Sequence, residues 1–107
     1  MLDQILKIKV LDNEALSVDL SDNPQLTSVS GIRNLNVKIL NISNTSIKIT
    51  LDLARMPLET LIIKKSKIPN IHELTKLKGL KTLVIGTNDY PKFNKRKKLN
   101  GVEIIRQ

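Results

Sequence analysis

The chain has 107 residues, 40% of them hydrophobic, and its 18 lysines and arginines outnumber its 10 aspartates and glutamates to give a net charge of +8. This length and composition predict one folded domain and argue against wholesale disorder. The absence of cysteine excludes disulfides, thiolate metal sites and cysteine nucleophiles, and it suits a reducing compartment.

The first element that the sequence predicts is a strand–turn–strand over residues 5–20. Leu6, Ile8 and Val10 alternate with lysines, and a polar segment at 12–14 follows them. Such alternation is typical of a strand that is buried on one face. We expect residues 1–14 to cap the repeats that begin at Ala15, because the first unit of a repeat array otherwise exposes an apolar face.

From Ala15 onward one pattern recurs, with copies that start near residues 15, 37, 58, 80 and 99. Each copy has three apolar slots, the second three residues after the first and the third two residues later, and a small polar slot follows after three more. The copies are Ala15–Val18–Leu20–Asn23, Val37–Leu40–Ile42–Thr45, Leu58–Leu61–Ile63–Ser66, Leu80–Leu83–Ile85–Asn88 and a truncated Leu99–Val102–Ile104 within 99–107. The starts are separated by 22, 21, 22 and 19 residues, and a period of this length predicts stacked repeats.

Each copy has a predicted local structure. The three apolar slots predict a short strand, and the polar slot predicts side chains that bind turn amides. The return segment 69–79 begins with a proline, continues with apolar residues three apart and ends in a glycine, so we expect a helical or 3₁₀ turn there. The segment 26–35 has the same spacing, whereas 47–56 fits either a strand or a helical turn.

The segment LETLIIKKSKIPNIHELTKLKG, at 58–79, resembles the 22-residue class of leucine-rich repeats found in bacterial internalins and in a regulatory subunit of phosphatase-1. The resemblance covers about residues 15–107. It implies an α/β fold: a short right-handed solenoid with a parallel sheet on its concave side and helical, 3₁₀ or extended turns on its convex side. The whole chain, 1–107, would then form a single domain.

The sequence offers no constellation for catalysis or for a cofactor. His72 lacks a recognisable nucleophile, acid or set of metal ligands around it, and the four glycines form no phosphate-binding motif. We expect a protein that is not an enzyme and holds no metal. Neither a secretory signal nor a run of ~20 apolar residues is visible, so we expect an intracellular, cytoplasmic protein without a membrane partner. Delivery into a host cell or a nucleus stays open.

Residues between the apolar slots are expected on the sheet face opposite the core. One predicted column contains Asp19, Asn41, Ile62, Val84 and Glu103, and the neighbouring column contains Ser17, Ile39, Thr60, Thr82 and Gly101. Ile62 and Val84 would touch, with Lys64 and Lys65 just beyond them. The candidate partner-binding residues are therefore Ile39, Asn41, Thr60, Ile62, Lys64, Lys65, Thr82 and Val84.

Charge is unevenly distributed along the chain. Residues 1–53 contain five basic and six acidic side chains, whereas residues 54–107 contain thirteen basic and four acidic ones. The densest basic patch is Lys92, Lys95, Arg96, Lys97 and Lys98. This patch is a solubilising loop, a site for an acidic protein partner or a site for nucleic acid.

These patterns favour a non-catalytic adaptor or stoichiometric inhibitor that recognises an acidic protein partner through the concave face and the basic C-terminal half. The alternative is an electrostatic binder of nucleic acid or another polyanion through residues 64–98. We expect a monomer, although the edge near Ile105 offers a route to self-association.

Overall fold

The structure is a computed structural model that describes residues 7–11, 14–48, 51–69, 74–87 and 101–107. Within these residues, six strands form one sheet in which neighbours follow chain order. The strands are β1 (Lys7–Val10), β2 (Leu16–Asp19), β3 (Val37–Asn41), β4 (Thr60–Ile62), β5 (Thr82–Ile85) and β6 (Glu103–Arg106). β1 pairs with β2 in antiparallel fashion, and the other four pairings are parallel.

The parallel strands stack their repeat slots, as the sequence predicts. Register places Val18 beside Leu40, Leu40 beside Leu61 and Leu61 beside Leu83. All four side chains are at most 1% exposed. Burial of such a ladder removes apolar surface from water in every coil, which is the main driving force for stacking. The prediction of a solenoid built on a parallel sheet is therefore confirmed.

Within the described residues, the segments between the strands contain little helix. The 3₁₀ turns described in full there are Ser30–Ile32 and Leu53–Arg55. Leu74 and Leu77 of the 69–79 return are buried, and the Leu77 N–H donates to the Leu74 carbonyl at 3.1 Å. The parallel sheet of the predicted α/β class is thus confirmed, whereas the helical component in the described part of the chain is limited to short turns.

The ambiguous segment 47–56 forms a turn in its described part. Ile47, Leu53 and Met56 are buried, whereas Leu51 is 63% exposed. A strand with alternating burial would have hidden Leu51 together with Ile47 and Leu53, so the helical-turn alternative is the one that the structure adopts.

The polar fourth slot makes a side-chain hydrogen bond to the backbone in three described turns. Asn23 Nδ2 donates to the Leu20 carbonyl at 2.7 Å, and Thr45 Oγ1 donates to the Ile42 carbonyl at 2.8 Å. In the next coil the Ile68 N–H donates to Ser66 Oγ at 3.3 Å. The predicted role in backbone hydrogen bonding is confirmed at these three positions, although two of the three side chains bind carbonyls rather than amides. Asn88 lies outside the described residues.

The predicted strand–turn–strand at the start of the chain is confirmed in its described part. Ile8 lies opposite Val18 in the antiparallel pair, and the Leu11 N–H donates to the Ala15 carbonyl at 2.6 Å across the turn. β1 therefore occupies the hydrogen-bonding edge of β2 that faces away from the parallel strands.

The register of the last strand differs from the prediction by two residues. Ile104 lies beside Leu83 and Ile105 beside Val84, whereas the repeat pattern had placed Val102 beside Leu83 and Glu103 beside Val84. Side chains alternate with a period of two, so a shift of two residues leaves every side chain on the same face. The apolar pattern of β6 fits both registers, and only the pairing distinguishes them.

Candidate functional site

The sheet face opposite the core carries six of the predicted partner-binding residues side by side, and we call it the outer face. Ile39, Thr60 and Thr82 form one row across β3, β4 and β5. Asn41, Ile62 and Val84 form the adjacent row. The structure also adds Ile105, which the predicted columns omitted, to the end of the second row.

The centre of the outer face is apolar and close-packed. Val84 is only 8% exposed, yet it is not a member of the core cluster found among the described residues. Ile62 and Ile105, both half-buried, lie on either side of it in neighbouring strands. Cross-strand neighbours on one face are about 4.5–5.5 Å apart at their Cβ atoms, which is close enough for direct contact. We call Ile62, Val84 and Ile105 the apolar row.

Charged side chains border the outer face where its strands begin. The Glu59 carboxylate lies 3.7 Å from the Lys38 ammonium and 3.8 Å from the Lys81 ammonium. These half-exposed pairs each contribute roughly 0–1 kcal/mol to stability. Their effect is to hold one acidic and two basic groups in a line across three successive coils.

A groove of about 390 Å³ runs along the opposite border, where the strands end. We call it the turn groove. Its walls are the residue pairs 21–22, 43–44, 64–65 and 86–87, one pair from each of four successive coils, together with Asn41 and Gln107. Lys64 and Lys65, which the sequence placed just beyond the apolar row, line its middle, and its volume lies in the usual range for ligand sites.

Side chains of the outer face shape the first two turns of this groove. Asp19 Oδ1 accepts the Ser21 N–H at 2.9 Å, and Asn41 Oδ1 accepts the Ser43 N–H at 3.0 Å. Acidic and amide side chains often close a turn in this way. The corresponding position in the third coil is Ile62, and there the Lys64 N–H donates to Ser43 Oγ of the preceding coil at 2.9 Å. Because Ser43 of the previous coil supplies the acceptor for this N–H, residue 62 does not need a polar side chain and can be isoleucine.

Three successive coils have a left-handed residue at the same place in the turn groove. These residues are Asp22, Asn44 and Lys65, with φ of 61°, 53° and 56°. The Asp22 and Asn44 N–H groups donate to the carbonyls of Ser43 and Lys64, each at 2.9 Å. Asparagine and aspartate tolerate this conformation, whereas a lysine is strained by it. Sequence reasoning missed this feature, although an Asp or Asn directly before the polar slot was its signal.

We expect Lys65→Asn to raise the free energy of unfolding by about 1 kcal/mol, because asparagine accepts a left-handed backbone more readily than lysine does. Urea titration followed by circular dichroism measures the change. Lys67→Asn is the control, since Lys67 is an exposed lysine of the same turn that is not among the positive-φ residues described. If both variants raised the free energy of unfolding by the same amount, backbone strain at Lys65 would be ruled out as the cause of the stabilisation.

The predicted basic patch, Lys92, Lys95, Arg96, Lys97 and Lys98, lies outside the described residues, as does His72. Among the described residues, no group of three or more His, Asp or Glu side chains is placed to hold a metal ion. The described part of the chain also contains no helix that is both long and apolar enough to cross a bilayer.

The fold that these observations define is a small parallel-strand solenoid whose outer face and turn groove adjoin each other. A scan against protein-family models, a search of curated proteins and a search of solved structures found no match to the chain. The residues themselves therefore carry the functional argument.

Proposed function

We propose that this protein is a non-catalytic interaction module that binds an acidic protein partner through its outer face and so acts as an adaptor or stoichiometric inhibitor. As part of this proposal, the fold is a right-handed leucine-rich repeat with the outer face on its concave side. The spacing of the apolar slots and the chain-order parallel sheet support that assignment.

The apolar row is the observation that carries the proposal. Ile62, Val84 and Ile105 lie on three neighbouring strands on the side away from the core. If these positions only stabilised the sheet through cross-strand pairs, threonine would suit them as well as isoleucine or valine. Threonine does occupy two positions of the adjacent row, Thr60 and Thr82. A contiguous apolar centre with a polar border is the usual arrangement of a protein-binding surface.

Charge selects the kind of partner. The chain has a net charge of +8, and the ammonium groups of Lys38 and Lys81 border the outer face where its strands begin. On the other border, Lys64 and Lys65 follow β4 after one intervening residue. Potentials of opposite sign raise association rates and disfavour basic competitors, so an acidic surface is the complementary one.

The proposal is tested with Ile62→Glu, which places a carboxylate in the middle of the outer face. Immobilised wild-type protein first captures partners from an extract of the producing organism, and captured proteins are identified by mass spectrometry. Each purified candidate is then titrated calorimetrically against wild type and variant. We expect the variant to bind at least roughly tenfold more weakly, because the substitution desolvates a charge at the interface centre and repels an acidic partner.

Leu51→Glu is the matched control for this experiment. Leu51 is exposed and belongs to the 47–56 turn rather than to the outer face, so the variant has the same change in residue type and charge. Equal affinity of Ile62→Glu and wild type would refute the proposal, provided that thermal unfolding shows both variants folded.

The alternative, a polyanion bound through residues 64–98, is distinguished by salt. Its affinity for duplex DNA would fall with a slope of roughly −0.9 per phosphate contacted in a plot of log K against log salt. Binding that survives Ile62→Glu but disappears with rising salt would favour that alternative over the proposed function.

A further inference from the structure

The turn groove has the dimensions of an extended chain segment. It crosses the ends of four successive strands and reaches Gln107 after the fifth. Adjacent strands are about 4.8 Å apart, so the five coils span roughly 19 Å. An extended peptide advances about 3.3 Å per residue and would cover this distance with about six residues.

The lining of the groove is polar in a way that suits a peptide main chain. Asn41 and Asn44 contribute amides, and Ser43 and Thr87 contribute hydroxyls. Amide and hydroxyl groups both donate and accept hydrogen bonds, as the peptide groups of a ligand also do. Ser43 Oγ accepts the Lys64 N–H, which leaves its own hydrogen available for a ligand carbonyl.

The groove is acidic at the β2 coil and basic at the β4 coil. Asp22 lies in the first coil, and its carboxylate accepts a hydrogen bond from Asn44 Nδ2 at 3.2 Å. Lys64 and Lys65 lie two coils further along. An acidic side chain of the ligand is therefore favoured over the β4 coil and disfavoured over the β2 coil.

The backbone of Lys65 supports a role for its charge. The equivalent left-handed positions of the two preceding coils are Asp22 and Asn44, residue types that tolerate this conformation. At the third position the residue is Lys65, whose side chain makes a left-handed backbone less favourable. Strained residues that a fold retains cluster at binding sites, and here the strained residue supplies one of the two cations that line the groove.

We infer that the turn groove binds an extended, acidic peptide segment of about six residues, with a ligand carboxylate between Lys64 and Lys65. This inference deepens the proposed function, on which it rests, by naming the part of an acidic partner that lies beside the apolar row. A nucleic acid fits less well, because the described residues contain no aromatic side chain on which bases could stack.

The test uses nuclear magnetic resonance of the full chain titrated with acetylated, amidated hexaglutamate. We expect shifts concentrated at the amides of residues 43, 64, 65, 86 and 87. Hexaglutamine, inorganic phosphate and hexathymidylate serve as comparison probes. The double variant Lys64→Gln/Lys65→Gln should bind hexaglutamate at least roughly tenfold more weakly, because two ammonium partners are removed.

Lys76→Gln/Lys78→Gln is the matched control, since both lysines are exposed and lie in the 69–79 return. Unchanged affinity in this control supports the inference. Equal weakening in both double variants would show binding through net charge alone and overturn it. Shifts confined to other amides would also overturn it, as would equal or tighter binding of phosphate or hexathymidylate at the same amides.

The failure of this inference is distinguishable from failure of the proposed function. The peptide titration reports on groove amides without any partner protein, whereas the Ile62→Glu comparison reports on the outer face. Loss of partner binding in Ile62→Glu together with no hexaglutamate shifts would reject the groove site and retain the outer face.

Discussion

Leu61→Ala is expected to lower the free energy of unfolding by about 2–5 kcal/mol. Leu61 is the central residue of the middle coil, is 0% exposed and lies between Leu40 and Leu83 in the sheet. Truncation removes apolar surface burial and leaves a cavity that neighbours on both sides can fill only partly. Because small domains are stable by about 5–15 kcal/mol in total, this one change is expected to remove a large share of the stability.

Leu51→Ala is the control for this prediction. Leu51 is 63% exposed, and surface substitutions usually change stability by no more than about 0.5 kcal/mol. Denaturant titration of wild type and both variants gives their free energies of unfolding, when all three are fitted with the same dependence on denaturant concentration. If Leu61→Ala lowered the free energy of unfolding no more than Leu51→Ala does, the stacked apolar residues would not be the main source of stability.

Thr45→Val is expected to lower the free energy of unfolding by about 1–3 kcal/mol, although the two side chains have nearly the same shape. Thr45 is 2% exposed, and its hydroxyl donates to the carbonyl of Ile42, the residue that follows β3. Valine keeps the volume but removes the donor, so the carbonyl loses this hydrogen bond without access to water in exchange.

Thr27→Val tests the same chemical change at an exposed position. We expect its stability to stay within about 0.5 kcal/mol of wild type. Thermal unfolding followed by circular dichroism separates the two variants. Equal melting temperatures for Thr45→Val and wild type would mean that the polar slot is dispensable for closing the turn.

The strands and the outer face could be predicted because period and alternation are properties of the sequence itself. Once the copies at 37, 58 and 80 are aligned, the neighbours of Leu61 and of Ile62 follow from counting. The structure places these neighbours as counted, with Leu40 and Leu83 beside Leu61 and with Asn41 and Val84 beside Ile62. The functional role assigned to this face remains a proposal.

The features that escaped prediction depend on three-dimensional pairing or on backbone conformation. A two-residue shift of β6 preserves the inward and outward faces, so the sequence pattern could not choose between Glu103 and Ile105 beside Val84. The turn groove depends on left-handed backbone at Lys65, a conformation for which lysine gives no compositional signal. The short 3₁₀ turns have the same apolar spacing as helical turns and differ only in hydrogen bonding.

The colinear order of chain and sheet has a mechanical consequence. Each described strand from β2 to β5 is hydrogen-bonded to the strands that precede and follow it in sequence. A pulling force applied to the two ends along the stacking direction therefore loads one strand pairing after another, as in a zipper, rather than shearing many at once. A solenoid of this kind yields coil by coil, and tension could detach a terminal coil while the remaining ones stay folded.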